Sequence, residues 1–363
     1  MSSERPALNP NIQNIKNESP LSRAIKHLRD DLIINGLLEL DTIDINAGEA
    51  NPLRLSIEYG HDSAFEKLLS FDTIDLDKGK CLAYCLRYGK LDQAKKLLSH
   101  NNKIGSINST IEGLDRTPLQ DAIVRKQDEL VELLLQKDNI LTNITCQGCR
   151  YTPLTLAIKK NNLFAIEQLL NHEDCDINRQ DGHQQIPITS AYKKNCNQIV
   201  DLLLEKEALD IDQYSGNSKT LLKLAIENHD HQTMEKIFHH PNQNFQFISG
   251  DNWALLNTAF FTYDNDTIKL LIDNGININE KMDAIRNSRS IIFAAITDNN
   301  MSLARILLSR DDIDLETPWN GMSPFDYAFK YKRNEIAREI LAHPNCKTDP
   351  KLVPLRGPGM VKT

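Results

Sequence analysis

The chain contains no apolar run near the ~20 residues that a membrane-spanning helix requires, and residues 1–18, MSSERPALNPNIQNIKNE, lack the apolar core of a secretory signal. Aromatic residues are 6% of the 363 and tryptophan occurs twice, which is little bulk for one large compact core. Basic residues do not predominate: the net charge is −8, and broad nucleic-acid or membrane-surface binding needs an excess of Lys and Arg. There is no Walker loop, no GxGxxG after a strand, no HExxH and no GxSxG, so no catalytic motif and no cofactor are expected. Seven cysteines in no regular spacing give no disulfide framework and fit reduced thiols in a cytoplasmic protein.

What is present is repetition. Taking Pro118 of Thr117-Pro118-Leu119 as an anchor, equivalents fall at Pro20, Pro52, Cys81, Pro153, Pro187, Leu221, Leu255, Ile291 and Pro324. The mean interval is about 34 residues. Four residues after each anchor the side chain is small, as in Ala122, Ala157 and Ala191. Sixteen and seventeen residues after it stands an aliphatic pair such as Leu134-Leu135 or Leu169-Leu170, which slips by one in the first copy, Leu37-Leu38.

Each copy reads as two short helices. Thr or Ser before proline starts the first, because proline in the first turn lacks only an N–H that would go unused. Gly60, Gly89, Asn161, Asn195 and Asn299, eight residues after their anchors, tolerate the left-handed conformation that ends it. A second helix follows, then a loop of the type Asp44-Ile45-Asn46 or Asp176-Ile177-Asn178, and a hairpin-like finger. One such unit cannot bury its apolar face alone, so the copies must stack. The expectation is an all-α solenoid of about ten helix-turn-helix repeats over residues 19–342, between a flexible leader (1–18) and a flexible, basic, proline-containing tail (343–363).

TPLQDAI (117–123), TPLTLAI (152–158), the Leu-Leu column and the Asp-Ile-Asn loop resemble ankyrin repeats. The pattern departs from the family in having no histidine two residues after any anchor, where Ser22, Arg54, Gln120 and Thr155 stand, and little glycine after the second helix. The resemblance implies a non-enzymatic scaffold that binds a protein on the concave face formed by first helices and fingertips. Divergent, asparagine-rich copies are also similar in style to ankyrin-repeat effectors that intracellular bacteria deliver into host cells, which implies a host cytosol as the place of action. Asn46 and Asn178 resemble the ankyrin asparagines that host hydroxylases modify.

On that face the exposed sites lie six and seven residues past the anchor. From the third to the sixth copy they hold Arg87, Arg125, Lys159, Lys160, Lys193 and Lys194 and no acid, a basic row on an acidic chain. Tyr59 and Tyr88 stand beside it on the helices, and Tyr151, Trp253 and Trp319 are assigned to finger positions. Tyr, Trp and Arg concentrate binding energy at interfaces, so these eleven residues are the expected partner-binding set, and an acidic or phosphorylated segment is the expected partner. No membrane contact is expected, and nucleic acid fits poorly with the overall charge.

Other features carry less. Cys146-x-x-Cys149 has metal-like spacing but no second pair; His172, Cys175 and His183 are the nearest further ligands. Cys81 and Cys85 read as core thiols. His229, His231, His239 and His240 read as surface histidines, with His229 and the His239-His240 pair at opposite ends of one unit. The alternative to a scaffold is an enzyme whose site lies in 242–292, where the anchors are least regular.

Overall fold

The computed structural model describes residues 9–348 except 29–30, 49–50, 79, 101–103, 112, 146–147, 149, 217–218, 244–251 and 280–288. The described residues form helices, turns and isolated bridges with no extended strand. The chain divides into two compact units, Met1–Leu203 and Leu204–Thr363.

In the first unit, α1 (Pro20–Arg23) runs on as a π-helical turn over Ala24–Leu28 and pairs with α2 (Asp31–Leu38). The pairs α3 (Pro52–Tyr59) and α4 (Asp62–Leu69), α5 (Cys81–Arg87) and α6 (Leu91–Ser99), and α7 (Pro118–Arg125) and α8 (Asp128–Leu135) follow. Then come α9 (Pro153–Lys160) with α10 (Leu163–Leu170), and α11 (Pro187–Lys193) with α12 (Asn197–Leu204), which ends at the unit boundary. First helices stack in order, α3 on α5, α5 on α7, α7 on α9 and α9 on α11. The second unit holds α13 (Leu221–Glu227) with α14 (His231–Phe238), and α15 (Asn252–Phe261) with α16 (Asn265–Asp273). It ends with α17 (Ile291–Thr297) and α18 (Met301–Leu308), then α19 (Pro324–Lys330) and α20 (Asn334–Ala342). Nine of the ten anchors are the first residue of their helix.

The columns explain the stacking. The small residue four after each anchor is at most 1% exposed in all ten copies, where a neighbouring first helix approaches closely. The first member of the aliphatic pair is as deeply buried in the nine later copies, from Leu68 to Ile340. The helix end eight residues after the anchor is left-handed in those same nine copies. Glycine or asparagine takes it at Gly60, Gly89, Asn161, Asn195 and Asn299, and Lys126, His229, Tyr263 and Lys332 take it without either residue's tolerance.

The threonine before the anchor does more than cap. Thr117 Oγ1 accepts from the Gln120 N–H and the Thr117 N–H donates to Gln120 Oε1, a capping box. The Gln120 amide then donates to the carbonyls of Ile144 and Tyr151 in the next copy, at 3.0 and 3.1 Å. Gln120 is fully buried, so a polar side chain joins two repeats inside the core without an unmet hydrogen bond.

Asparagine forms a second set of joints. Asn143 Nδ2 donates to the Asp174 carbonyl at 2.6 Å and its Oδ1 accepts from the Asp176 N–H at 2.9 Å. Asn11, Asn46 and Asn108 make the same paired contacts one copy onward in the first unit, and Asn279 does so in the second. The preceding acid closes the turn: Asp44, Asp75 and Asp176 each accept from the N–H two residues on, at 2.9 Å. Part of the acidic and asparagine-rich composition is therefore backbone satisfaction in the fingers. Isolated antiparallel bridges, Ile111 with Arg116, Ser215 with Lys219 and Trp319 with Met322, give three fingers their hairpin character.

Two sequence readings change here. Trp253 lies in α15, not in a finger: Leu255, unlike a proline, leaves the helix free to begin a turn earlier at Asn252. The later register holds, with Ala259 buried and Tyr263 left-handed. His240 is buried rather than on the surface, its Nδ1 accepting from the Asn242 N–H at 3.2 Å in the turn after α14. His172 and His343 form the same turn.

Of the stretch read as leader, residues 9–18 contact the first copy. Asn11 Nδ2 donates to the Thr42 carbonyl, and Glu18 accepts from Asn14 and Lys26. The Lys26 ammonium, aided by the Asn14 amide, pulls the Glu18 carboxyl down to about 2.

Candidate interaction face

The six predicted cations stand on successive stacked first helices of the first unit, Arg87 on α5, Arg125 on α7, Lys159 and Lys160 on α9, and Lys193 with Lys194 at the end of α11. All six are exposed. Packed helices lie about 8–10 Å apart, so the four helices set a row about 24–30 Å long. That is about eight or nine residues of extended chain.

The members differ in how they are held. Arg125 Nε pairs with Asp121 Oδ2 at 2.8 Å, and Arg116 Nη2 meets Asp121 Oδ1 at 2.8 Å. The Asp121 side chain is completely buried, so the row is not free of acid as the sites six and seven past the anchor suggest. A carboxylate one turn back holds two guanidinium groups, and the three side chains together keep one net positive charge. Lys194 Nζ donates to the carbonyls of Ile158 and Lys159, at 3.4 and 2.6 Å, closing the end of α9. Lys193 Nζ donates to Gln185 Oε1 at 2.6 Å. Lys159 Nζ contacts the Tyr151 hydroxyl and lies 4.1 Å from its ring centroid, while that ring packs on His183 with centroids 4.8 Å apart. Lys160 has no hydrogen-bond or ion-pair partner among the described residues and projects its charge into solvent.

At one end of the row is a cavity of about 550 Å³. Arg54 lies over the Tyr84 ring at 4.0 Å, and Arg87 and Lys80 add positive charge to its lining while Asp77 and Asp115 bring two carboxylates. Asp77 is already committed, accepting from the Ser106 N–H at 2.8 Å. The Tyr84 ring continues onto Tyr88, centroids 6.1 Å apart, and Tyr88 is 41% exposed. Sequence reasoning missed Arg54 and Tyr84. The available signal was that Arg54 occupies the site two after the anchor, where the family places histidine. Tyr59 is half-buried at the end of α3.

The remaining aromatic candidates lie in the second unit. Trp319 is half-buried against Phe293 and Tyr327, at 5.5 and 5.1 Å between centroids, with Arg289 5.5 Å above its ring. It is a packing residue at a finger base that keeps one partly open face. The Trp253 side chain is outside the described residues.

Nucleophile and metal readings gain nothing. Burial pushes the Cys81 thiol up to about 12 and raises Cys85 as well, which suppresses the reactive thiolate. Cys146 and Cys149 lie outside the described residues, and no group of three or more His, Cys, Asp or Glu among the described residues is placed to hold a metal ion. His229 Nδ1 and His231 Nε2 instead converge on Asp264 Oδ2, at 2.7 and 3.2 Å. In 242–292, α15 and α16 form a helix pair like the others, and 244–251 and 280–288 lie outside the described residues. No described helix is long and apolar enough to cross a membrane.

No curated protein matches the sequence. The family model for ankyrin repeats, which spans three copies, matches three times, over residues 82–181, 154–248 and 255–351. Those matches cover most of the chain and run through the helix pairs described above: the protein belongs to the ankyrin repeat family.

Proposed function

We propose that this protein is a binding scaffold whose first-helix face in Met1–Leu203 takes an acidic or phosphorylated segment of a partner protein in extended form. Ankyrin repeats are generally protein-protein interaction modules. The observation that carries the finer reading is the row itself: exposed cations on four successive stacked helices, beginning at the cavity lined by Arg54, Tyr84 and Arg87. Fixed cations on a rigid backbone favour an anionic chain without reorganising, and raise its association rate. Lys160, and the net charge left over Asp121, are the parts not consumed by internal pairing. Similarity in style to bacterial effectors supports a host protein as the partner.

The test uses a fluorescent peptide of about nine residues rich in Glu, a phosphoserine version and a Gln-matched neutral control. Wild type should bind both anionic peptides, more weakly as salt rises, and ignore the control. Arg87→Glu with Lys160→Glu should lose that binding at unchanged melting temperature. Equal affinity for the neutral peptide, or unchanged binding by the double variant, would overturn the reading.

A further inference from the structure

Position 54 is released from helix capping. Two residues after the anchor in α7 and α9, Gln120 and Thr155 are tied to the threonine that starts each helix. In α3, Asn51 closes the start alone, its Oδ1 accepting from the Leu53 and Arg54 N–H groups at 2.8 and 3.2 Å. The Arg54 side chain takes no part in that cap and lies over the Tyr84 ring at 4.0 Å. Glu58 Oε2 stands 3.8 Å from its Nε, too far for a hydrogen bond, and the buried Nε has no acceptor among the described residues. A guanidinium carries five N–H donors in a rigid fork, and here the ring contact fixes its place without meeting them.

Two more donors line the same cavity of about 550 Å³, the ammonium of Lys80 and the hydroxyl of Thr110. Both residues are exposed, and neither side chain has a partner among the described residues. The three come from separate places: Arg54 from α3, Lys80 from the residue before α5, and Thr110 from the loop ahead of the Ile111–Arg116 bridge. Between them the wall is apolar, with Ala83, Tyr84 and Ile111 all buried. Of the two carboxylates, Asp77 already accepts from the Ser106 N–H, whereas Asp115 is exposed and has no side-chain partner among the described residues. A carboxylate would offer these donors two oxygens. A phosphomonoester offers three and nearly two negative charges, and an arginine fork binds it in two places at once.

We propose that this cavity seats the phosphate of a phosphorylated residue in the partner segment, with Arg54, Lys80 and Thr110 on its oxygens and Asp115 accepting a main-chain N–H beside it. The assignment rests on the scaffold reading and narrows it, from any acidic segment to a phosphorylated one held in a fixed register. Arg87 of α5 lines the cavity, and Lys160 stands at the end of α9, two stacking steps along the row, or about 16–20 Å. An acidic residue about five or six positions from the phosphate reaches Lys160 when the segment is extended.

Fluorescence anisotropy of the full chain tests it with a labelled peptide that has phosphoserine at its centre and glutamate about six positions away on either side, against the same peptide with glutamate at the centre. Wild type should prefer the phosphopeptide about tenfold, the ratio that one further charge-assisted hydrogen bond supplies. Arg54→Gln and Lys80→Asn should each bring that ratio close to one. Asparagine keeps the left-handed conformation that Lys80 holds at φ 52°, so Lys80→Asn decides the matter should Arg54→Gln lower the melting temperature. Free phosphoserine should compete far more weakly than the peptide; equal competition would make this a small-molecule site and overturn the partner segment as its occupant. Equal wild-type affinity for the two peptides, or a preference that survives in the folded variants, would overturn the phosphate seat and leave the scaffold reading standing. Binding of neither peptide would overturn both.

Discussion

Lys194 donates to the carbonyl oxygen of Lys159 at 2.6 Å, so a side chain counted among the exposed cations also caps the helix of the preceding copy. The neighbouring Lys160, equally exposed, makes no such cap. A cation at a helix C-terminus contributes about 0.3–1 kcal/mol, more with direct carbonyl contact. Lys194→Ala should therefore lower the unfolding free energy by about 1 kcal/mol, and Lys160→Ala should stay within about 0.5 kcal/mol of wild type. Urea unfolding of the two variants decides it. Equal effects would mean that the cap does not persist in solution.

The asparagine joints carry a prediction about local opening. Asn143 binds the Asp174 carbonyl and the Asp176 N–H together; the carbonyl also accepts from Thr142 Oγ1 at 3.0 Å, so removal of Asn143 leaves chiefly the Asp176 N–H to find water. Asn143→Ala should cost about 1–2 kcal/mol, and Asn143→Asp, which keeps the acceptor, less. Hydrogen exchange at the Asp176 amide should accelerate in the alanine variant and much less in the aspartate variant. An unchanged rate in Asn143→Ala would show that the amide is not protected by this bond.

What could be read in advance depended on whether a residue type alone determines its surroundings. The small and leucine columns were readable because close helix approach and burial admit few residues. The left-handed cap was readable at Gly60 and Asn161, which prefer it, and unreadable at Lys126 and His229, where the turn between two packed helices imposes it against preference. The start of α15 was misplaced because Leu255 carries no stop signal where other copies have proline. The Arg54–Tyr84 stack, and the burial of Asp121 between Arg116 and Arg125, depend on side chains meeting across the fold. No periodicity reveals those meetings, so the basic row was placed correctly along the helices but credited with more free charge than it has.

Asp264 links two copies of the second unit and should make that unit acid-sensitive. Burial works against its charge, but the Thr267 hydroxyl and N–H, then His229 and His231, outweigh it and hold the carboxyl well below the usual range. A carboxyl lowered in the folded state contributes stability that is complete above its unfolded value of about 4 and is lost as pH falls toward the folded value. Asp264→Ala also removes the N-cap of α16, at a cost of about 1–2 kcal/mol near neutral pH. Melting curves at stepped pH should separate wild type from the variant most above pH ~4 and converge below it. A gap that widens in acid would reverse the assigned sign.

Tyr263 holds the left-handed cap of α15 at φ 56° with its side chain 73% exposed. A side chain with a Cβ pays steric strain there, about 1–2 kcal/mol for most residues, and an exposed ring recovers little of it by packing. Asparagine tolerates the conformation and already occupies the same site at 161, 195 and 299. Tyr263→Asn should therefore raise the unfolding free energy by about 0.5–1 kcal/mol, whereas β-branched Tyr263→Val should lower it. Glycine is the less informative substitution, since it relieves strain but also loosens the unfolded chain. Thermal melts of the two variants at neutral pH, where the adjacent Asp264 is charged in both, give the comparison. If valine were tolerated as well as asparagine, the residue would not be held in this conformation, and the register through 242–292 would lose its clearest local marker.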